Sequence, residues 1–375
     1  MTDLDPRIAV RRSRLADGRE LLYFDDADTT LGAERAIDAR ELDPRPATAS
    51  MRQDPLTGDW ISIAANRQNR VFLPPANLDP LAPQTPGNPS EIPSRYDVAV
   101  FENKSPSFGP GLADDDWSPA AALEATRGIG LERSLPSIGR CEVVCFSPEH
   151  EGSFGTQRVS RARTVIEAWA QRTAELSALP GVQQVFPFEN RGEAIGVTLG
   201  HPHGQIYSYP YITPRTQRLL DAIDAYGPTL MADIVERELA GPRVLLRGEH
   251  WSAYVPFAAR WPIEVHIVPH RHVPDFAETT LAERDELARV YLRLLRGVDA
   301  LYDTPTPYIA AWHQAPVHER RDDVRLTLQL TSPRRAADKL KFLAGSEAAM
   351  GAWIGDVTPE AQAEALRTAI EGVHV

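Results

Sequence analysis

The feature that most constrains the fold of this chain is an order of elements that occurs twice. In the first copy a predicted helix and a predicted strand separate His150 from His203, and in the second a helix and a strand separate His272 from Gln329. The two separations are 53 and 57 residues. A repeat of this length predicts a duplicated α+β unit whose second copy lacks the histidine found at position 203.

The repeat divides the 375 residues into an N-terminal extension over 1–50, a first half over 51–215 and a second half over 216–375. The extension is polar and has little periodicity, so it either forms a short hairpin around 20–25 or remains partly loose. Seven prolines predict an irregular loop over 74–93. Alternation and apolar runs predict strands over 96–102, 140–146, 182–188, 194–199, 251–256, 263–269, 308–313 and 324–331. Helical spacing predicts helices over 158–179, over 216–238 as one or two helices, and over 281–301.

Composition excludes several classes of protein. The net charge of −12 argues against a nucleic-acid binder, which needs clustered Lys and Arg. No apolar run reaches the roughly 18 residues of a membrane span, and the N-terminal arginines precede no apolar stretch typical of a secretory signal. Cys141 and Cys145 lie about 13 Å apart along one predicted strand, too far for a disulfide. Two reduced thiols fit a cytoplasmic protein.

The segment Gly200-His201-Pro202-His203-Gly204-Gln205 is the strongest candidate for a reactive site. We expect the apolar run 194–199 to be a strand that presents this segment at its end. Pro202 fixes the backbone before His203, and Gly204 has no Cβ to obstruct a close approach. An imidazole with a pKa near 6.5 is largely neutral at pH 7, so its lone pair can attack phosphorus without an added base.

This segment resembles the active-site signature of the galactose-1-phosphate uridylyltransferase family, a branch of the histidine-triad superfamily. Further motifs occur in the family's order over residues 51 to 370: Asp54 to Trp60, Phe101 to Asn103, Cys145 to His150, Glu249 to Trp251, Pro269 to His272 and Lys339 to Glu347. The resemblance implies two tandem histidine-triad-like halves, each an antiparallel sheet with packed helices. It also implies a homodimer whose active sites are shared between subunits.

The resemblance implies a double displacement that belongs to galactose metabolism, the Leloir pathway. UDP-glucose would uridylylate His203 and release glucose 1-phosphate, and galactose 1-phosphate would then accept the uridylyl group. The leaving sugar phosphate has a second pKa near 6, so it needs no strong acid. Gln205 stands where hydrolytic members of the superfamily carry a third histidine. An amide cannot titrate, so Gln205 is expected to bind a phosphoryl oxygen and to protect the intermediate.

The resemblance also assigns substrate contacts. Asn190 and Thr198 would contact the phosphoryl group, and Arg67 and Arg70 would bind the nucleotide phosphates. The remaining assignments are Phe101 and Asn103 for the uracil and ribose, and Lys341, Phe342, Ser346 and Glu347 for the hexose and its phosphate.

Metal sites are where this sequence departs from the family. Many members bind zinc through two cysteines and two histidines. Here His150 and His201 are kept, but Asp79 and Ala82 stand where the thiolates would be. Asp79, His150 and His201 would make a weak zinc site. An iron-type site needs a glutamate and three histidines, and only His272 matches, with Leu219, Thr327 and Gln329 at the other places. No step of the proposed chemistry requires a cofactor.

Three other functions stay open on the sequence. The chain could be a nucleotidyltransferase that acts on another sugar phosphate, or a nucleotide-sugar hydrolase or phosphorylase. It could also be a non-catalytic nucleotide sensor. Gln205 argues against hydrolysis and His203 argues against the sensor.

Overall fold

The computed structural model describes residues 4–43, 45, 49–65, 68, 72–109 and 130–375. Within them the strands are β1 (Ala9–Arg14), β2 (Glu20–Asp25), β3 (Ser50–Gln53), β4 (Trp60–Ile63), β5 (Val98–Glu102), β6 (Ser134–Pro136), β7 (Arg140–Cys145), β8 (Gln184–Arg191), β9 (His203–Tyr209), β10 (Val244–Arg247), β11 (Trp251–Tyr254), β12 (Ile263–Pro269), β13 (Tyr308–His313), β14 (Thr327–Ser332), β15 (Arg334–Ala336) and β16 (Lys339–Leu340). The helices are α1 (Val159–Ser177), α2 (Pro214–Tyr226), α3 (Leu230–Ala240), α4 (Leu281–Asp299), α5 (Gly345–Met350) and α6 (Pro359–Glu371).

Most of these strands form one antiparallel sheet in the order β1-β2-β5-β7-β9-β8-β13-β14-β12-β11-β10. The order of the second half mirrors that of the first about the pair β8–β13, which we call the seam. Gln205 on β9 and Gln329 on β14 occupy corresponding places, because Val143 pairs with Gln205 and His266 pairs with Gln329. The predicted α+β class with antiparallel sheets and packed helices is confirmed.

Side chains alternate across this sheet, and one face is apolar and covered by helices. Trp169 from α1 and Trp312 from β13 are each about 1% exposed, and their rings lie 5.9 Å apart. Trp251 from β11 contacts Trp312 at 6.4 Å. Because these rings come from both halves, the main core is shared by the two halves, and the opposite face carries smaller apolar clusters beside polar and aromatic side chains.

The N-terminal residues form the hairpin that the sequence left as one of two alternatives. Strands β1 and β2 pair over their full length, and β2 pairs with β5 at the edge of the main sheet. Leu21, Leu22, Tyr23 and Phe24 are fully buried. Asp26 then accepts a hydrogen bond from Arg161 of α1 at 2.8 Å, which ties the hairpin to the helix layer.

Two helix predictions are resolved in detail. Residues 214–240 form two helices, α2 and α3, because Gly227, with a φ of 121°, ends the first one. Helix α4 begins after Thr280, whose side chain accepts from the backbone N–H of Glu283 while the Glu283 carboxylate accepts from that of Thr280. This is a capping box.

The predicted strand over 194–199 is wrong. A short 3-10 turn covers Glu193–Ile195, and no regular element follows until β9 begins at His203. Gly196 adopts a left-handed conformation with a φ of 83°, which a strand cannot accommodate. The candidate segment around His203 therefore lies at the start of a strand, and not at the end of one.

Candidate active site

Strand β9 presents the two central residues of the motif on one side. His203, Gln205 and Tyr207 alternate with the buried residues Gly204 and Ile206. A spacing of two therefore places the imidazole and the amide on the polar face of the sheet. Register continues this row sideways, since Gln205 pairs with Val143 on β7 and with Phe188 on β8.

A cavity of about 630 Å³ lies over this row. Six of the residues predicted from the sequence line it: Phe101, Asn103, Asn190, Thr198, His203 and Gln205. They come from β5, β8, β9 and the loops that follow β5 and β8, so the sheet brings together positions that are up to 104 residues apart in the chain. A volume in this range suits a small-molecule ligand.

The imidazole of His203 is held in one orientation by its own motif. Its Nδ1 lies 2.8 Å from the carbonyl oxygen of His201, which can only accept a hydrogen bond. The proton therefore sits on Nδ1, and Nε2 carries the lone pair. This is the tautomer that a nucleophilic histidine needs, and the backbone of residue 201 selects it.

Gly204 allows β9 to lie close to the ring beneath it. A Cβ added at residue 204 would lie 2.8 Å from Cζ of Phe146 and 2.9 Å from the carbonyl oxygen of Phe188. The neighbouring strand and the core both leave no room for a methyl group. The glycine of the motif therefore has a packing reason, on the side of the strand away from the cavity.

The loop after β8 closes one side of the cavity. Its residues Gly196, Val197, Thr198 and Leu199 line the space, and the carbonyl oxygen of Thr198 accepts a hydrogen bond from the backbone N–H of Leu73 at 2.7 Å. The apolar run that suggested a strand thus serves as a wall.

The end of β5 supplies the opposite side of the cavity. Phe101 is about 2% exposed, and the side-chain oxygen of Asn103 accepts from the backbone N–H of Ser105 at 2.9 Å. That contact leaves the NH₂ group of Asn103 as the donor available to a ligand. An aromatic wall beside an amide donor can accommodate a planar base.

Sequence reasoning missed several lining residues. Lys104, Tyr207, Phe188 and Glu91 all line the cavity. Lys104 directly follows Asn103 and Tyr207 lies two positions beyond Gln205, so adjacency and strand alternation could have identified both. Phe188 and Glu91 depend on strand pairing and loop placement, which the sequence does not display.

His201 lies behind the cavity in a polar cluster. Its Nδ1 is 2.7 Å from Oδ2 of Asp79, and Nδ1 of His150 lies 2.8 Å from the same oxygen. Its Nε2 is 2.7 Å from the carbonyl oxygen of Ser147. Burial raises the pKa of Asp79, but the hydrogen bonds from His201 and His150 outweigh it and lower the pKa to about 2.

Asp79, His150 and His201 are the one group of three metal-ligating side chains found in the part of the chain that the structure describes. Their donor atoms lie within 4.8 Å of one another. A carboxylate and two imidazoles fit a divalent cation that keeps a further position for water. Such an ion would sit behind His203, whose Nδ1 is held by the carbonyl of His201, and would support the position of the motif.

The residues assigned to the hexose lie away from this cavity. Lys341 is about 5% exposed, and its ammonium group pairs with Glu347 at 2.8 Å and donates to the carbonyl oxygen of Arg260 at 3.0 Å. Phe342 is about 75% exposed, and the hydroxyl of Ser346 donates to the carbonyl oxygen of Ala352 at 3.0 Å. Arg67 and Arg70 lie outside the described residues.

The positions compared with an iron-type site carry other contacts. Gln329 lies 3.3 Å from His313 and donates to Glu264 at 2.7 Å. Thr327 donates to the carbonyl oxygen of Arg325 at 3.0 Å, and Leu219 packs among apolar residues of α2.

None of the helices in the described ranges combines the length and the apolar character needed to span a bilayer.

Comparison with solved structures first identifies the class. The chain is similar to a structure titled "Structure of uridylyltransferase", with a TM-score of 0.74 and 28% identity over 86% of this chain and 98% of that one. A structure of an ADP-glucose phosphorylase from Arabidopsis thaliana has a TM-score of 0.61 at 20% identity, a likeness of fold alone. The fold is thus that of uridylyltransferases, which are nucleotidyltransferases.

Comparison of sequences then identifies the family. The models for the N-terminal and C-terminal domains of galactose-1-phosphate uridyl transferase match residues 40–213 and 213–375. The galactose-1-phosphate uridylyltransferase of Streptomyces lividans is 44% identical over 96% of this chain and 98% of its own, and that of Thermotoga maritima is 33% identical over 84% and 97%. The chain belongs to the galactose-1-phosphate uridylyltransferase family.

Proposed function

We propose that this chain transfers a uridylyl group from UDP-glucose to galactose 1-phosphate through a covalent intermediate on His203. The family's activity is galactose-1-phosphate uridylyl transfer in the Leloir pathway. The observation that carries the residue assignment is the cavity lined by both His203 and Gln205, in which the carbonyl oxygen of His201 holds Nδ1 of His203 at 2.8 Å.

In the first half-reaction, Nε2 of His203 attacks the phosphorus atom that bears the uridine. A P–N bond forms and the bond to the bridging oxygen breaks, so glucose 1-phosphate leaves with the electron pair. Because Nδ1 stays protonated toward the carbonyl of His201, the imidazole becomes cationic as it attacks. That charge offsets the negative charge of the phosphoryl oxygens.

The second half-reaction reverses these steps with galactose 1-phosphate as the nucleophile. Its phosphate oxygen attacks the uridylyl phosphorus, the P–N bond breaks, and His203 recovers its lone pair. Gln205, Asn190 and Thr198 line the cavity near His203, and their amide and hydroxyl groups can donate to the phosphoryl oxygens. None of the three can accept a proton from an attacking water at neutral pH, which favours transfer over hydrolysis.

Product analysis with the purified protein tests this function. With UDP-glucose alone, a transferase releases one equivalent of glucose 1-phosphate and stops, and galactose 1-phosphate then restarts turnover. A hydrolase would release UMP continuously, and a nucleotide sensor would release no product. An acceptor other than galactose 1-phosphate, with a higher kcat/KM, would contradict the choice of sugar.

The hexose site is proposed to be completed by a second subunit of a homodimer. Lys341, Phe342, Ser346 and Glu347 lie outside the His203 cavity of their own chain, and Phe342 is largely exposed. A shared site predicts complementation when His203→Gly subunits exchange with Glu347→Ala subunits, because one site in a mixed dimer is then intact. Demonstrated subunit exchange with no return of activity would contradict the shared site.

A bound metal is proposed to be dispensable for the reaction. Asp79, His150 and His201 would hold a cation behind the cavity, where it would stabilise the motif, and Lewis-acid chemistry is not needed for attack by a neutral imidazole. The three donors lack a thiolate, so zinc would bind them more weakly than it binds a site with cysteines.

A further inference from the structure

The loop over residues 79–92 forms part of the cavity wall. Pro80, Leu81 and Glu91 from this loop line the space. The loop is closed on itself, since the backbone N–H of Glu91 donates to the carbonyl oxygen of Pro80 at 2.8 Å and that of Gln84 donates to Ile92 at 2.8 Å. A displacement of this loop would therefore move Pro80, Leu81 and Glu91 together and change this side of the cavity.

Arg19, directly before the N-terminal hairpin's second strand, binds this loop. Its side chain is about 1% exposed and donates to the Glu91 carboxylate, to the carbonyl oxygen of Glu102 at 2.9 Å and to Asp17 at 2.7 Å. One guanidinium thus joins the wall loop to the end of β5, where Phe101 stands. The fork of donors makes this link directional in a way that an ammonium group could not.

Arg40 and Asp38 bind the same loop, and Arg40 shares Glu91 with Arg19. Arg40 pairs with Asp38 at 2.7 Å, lies 3.5 Å from Glu91 and donates to the carbonyl oxygen of Pro89 at 3.4 Å. Asp38 is about 5% exposed and accepts from the side chain of Gln84 at 3.2 Å. Together, Arg19, Asp38 and Arg40 form what we call the clasp.

We propose that the clasp positions the wall that receives the nucleotide, and that Arg19 and Arg40 are positioning residues for the uridylyl donor. The proposal rests on the proposed function. The family's N-terminal model begins at residue 40, so the strand pair that carries Arg19 lies outside that match. The clasp binds the loop through Glu91, Pro89 and Gln84, whereas Asp79 at the start of the loop is held by His150 and His201.

Because Glu91 is charged, the clasp should affect the affinity for the nucleotide as well as the position of the cavity wall. Glu91 faces a cavity that is proposed to take a diphosphate, and two guanidiniums offset its carboxylate. Loss of either one would loosen the wall and leave the Glu91 carboxylate less fully compensated near an anionic ligand. Both effects should fall mainly on the donor, because the wall must position its nucleotide from solution, whereas the acceptor sugar phosphate enters after the uridylyl group is already fixed on His203.

The test compares Arg19→Lys and Arg40→Met with the matched control Arg12→Met. Arg12 lies on the same hairpin but pairs with Glu20 and Glu175, away from the loop. In a two-step exchange the two kcat/KM values are independent. We expect kcat/KM for UDP-glucose to fall by about tenfold or more in both clasp variants, and kcat/KM for galactose 1-phosphate to stay within about twofold. The control should match the wild type in both.

Calorimetric titration with UDP measures nucleotide affinity in each variant and requires no turnover. Weaker UDP binding in Arg40→Met than in Arg12→Met would support the clasp. This holds even if the wild type shows no exchange activity, because that result would contradict only the proposed function. Unchanged UDP affinity in both clasp variants would overturn the clasp. An equal fall in both kcat/KM values, together with a lower Tm, would also overturn it, because that pattern indicates general destabilisation.

Discussion

At the residue scale, the proposed chemistry depends on how His203 and Gln205 of β9 are oriented. The sequence motif was enough to predict that His203 and Gln205 belong to one site, and both line the cavity, but it did not predict the strand β9 that puts both on one side. The tautomer of His203 could not be predicted, because it is set by a backbone carbonyl whose direction depends on the turn at Pro202. The ion pair between Lys341 and Glu347 could not be predicted from the sequence either, and both residues were expected to contact a ligand.

Replacing Gln205 by histidine should raise the ratio of UDP-glucose hydrolysis to uridylyl transfer. A titratable imidazole can accept a proton from water and let it compete for the intermediate, an effect worth on the order of 10²-fold for general base catalysis. UMP and UDP-galactose are measured in one reaction mixture. Gln205→Asn is the control, because a shorter amide still cannot titrate. An unchanged ratio in Gln205→His would show that another feature protects the intermediate.

At the element scale, the strands that sequence predicted well are those whose apolar residues reach the common core. Residues 263–269 and 308–313 form strands with the predicted bounds. The run 194–199 has a similar composition, but it is half exposed and lines the cavity, so it gains its contacts from the loop at Leu73 and not from a ladder. Local composition does not distinguish a loop that lines a cavity from a strand. In this run the difference lies in the left-handed backbone of Gly196.

A methyl group at Gly204 should distort β9 beneath the reactive segment. We expect Gly204→Ala to lower the free energy of unfolding by about 1–3 kcal/mol, because the added Cβ meets both a ring and a backbone oxygen. Gly200→Ala is the matched control in the same motif, where an added Cβ meets nothing within 4 Å. Denaturant unfolding measures both. Equal stabilities would contradict the packing role of Gly204.

At the scale of the whole molecule, the two predicted halves join into one sheet at the seam. The pairing of β8 with β13 could not be predicted from the repeat, because the two strands are far apart in the chain. Each half could instead have formed a separate sheet with an unpaired edge strand. Glu189 of β8 is buried at the seam and accepts a hydrogen bond from Tyr308 of β13 at 3.0 Å. Burial raises the pKa of Glu189 to about 8.

This carboxyl should make stability depend on pH. An unfolded glutamate titrates near 4.3, so between about pH 4.3 and about 8 the folded state holds a proton that the unfolded state has released. Stability should therefore fall as pH rises through this window, by up to about 1.4 kcal/mol per pH unit from this group. Glu189→Gln should flatten that slope, and the exposed Glu371→Gln should not. Equal slopes in wild type and Glu189→Gln would contradict the assignment.

The central claim, a covalent intermediate on His203, is tested most directly by intact-mass and peptide-level measurement of the protein after incubation with UDP-glucose alone. We predict one uridylyl group per chain, located on the imidazole of His203, with an equal amount of glucose 1-phosphate in solution. Galactose 1-phosphate should then remove the adduct as UDP-galactose, and His203→Gly should acquire no adduct and lose exchange activity by many orders of magnitude. An adduct that persists in His203→Gly, or turnover by that variant within about tenfold of the wild type, would contradict the account.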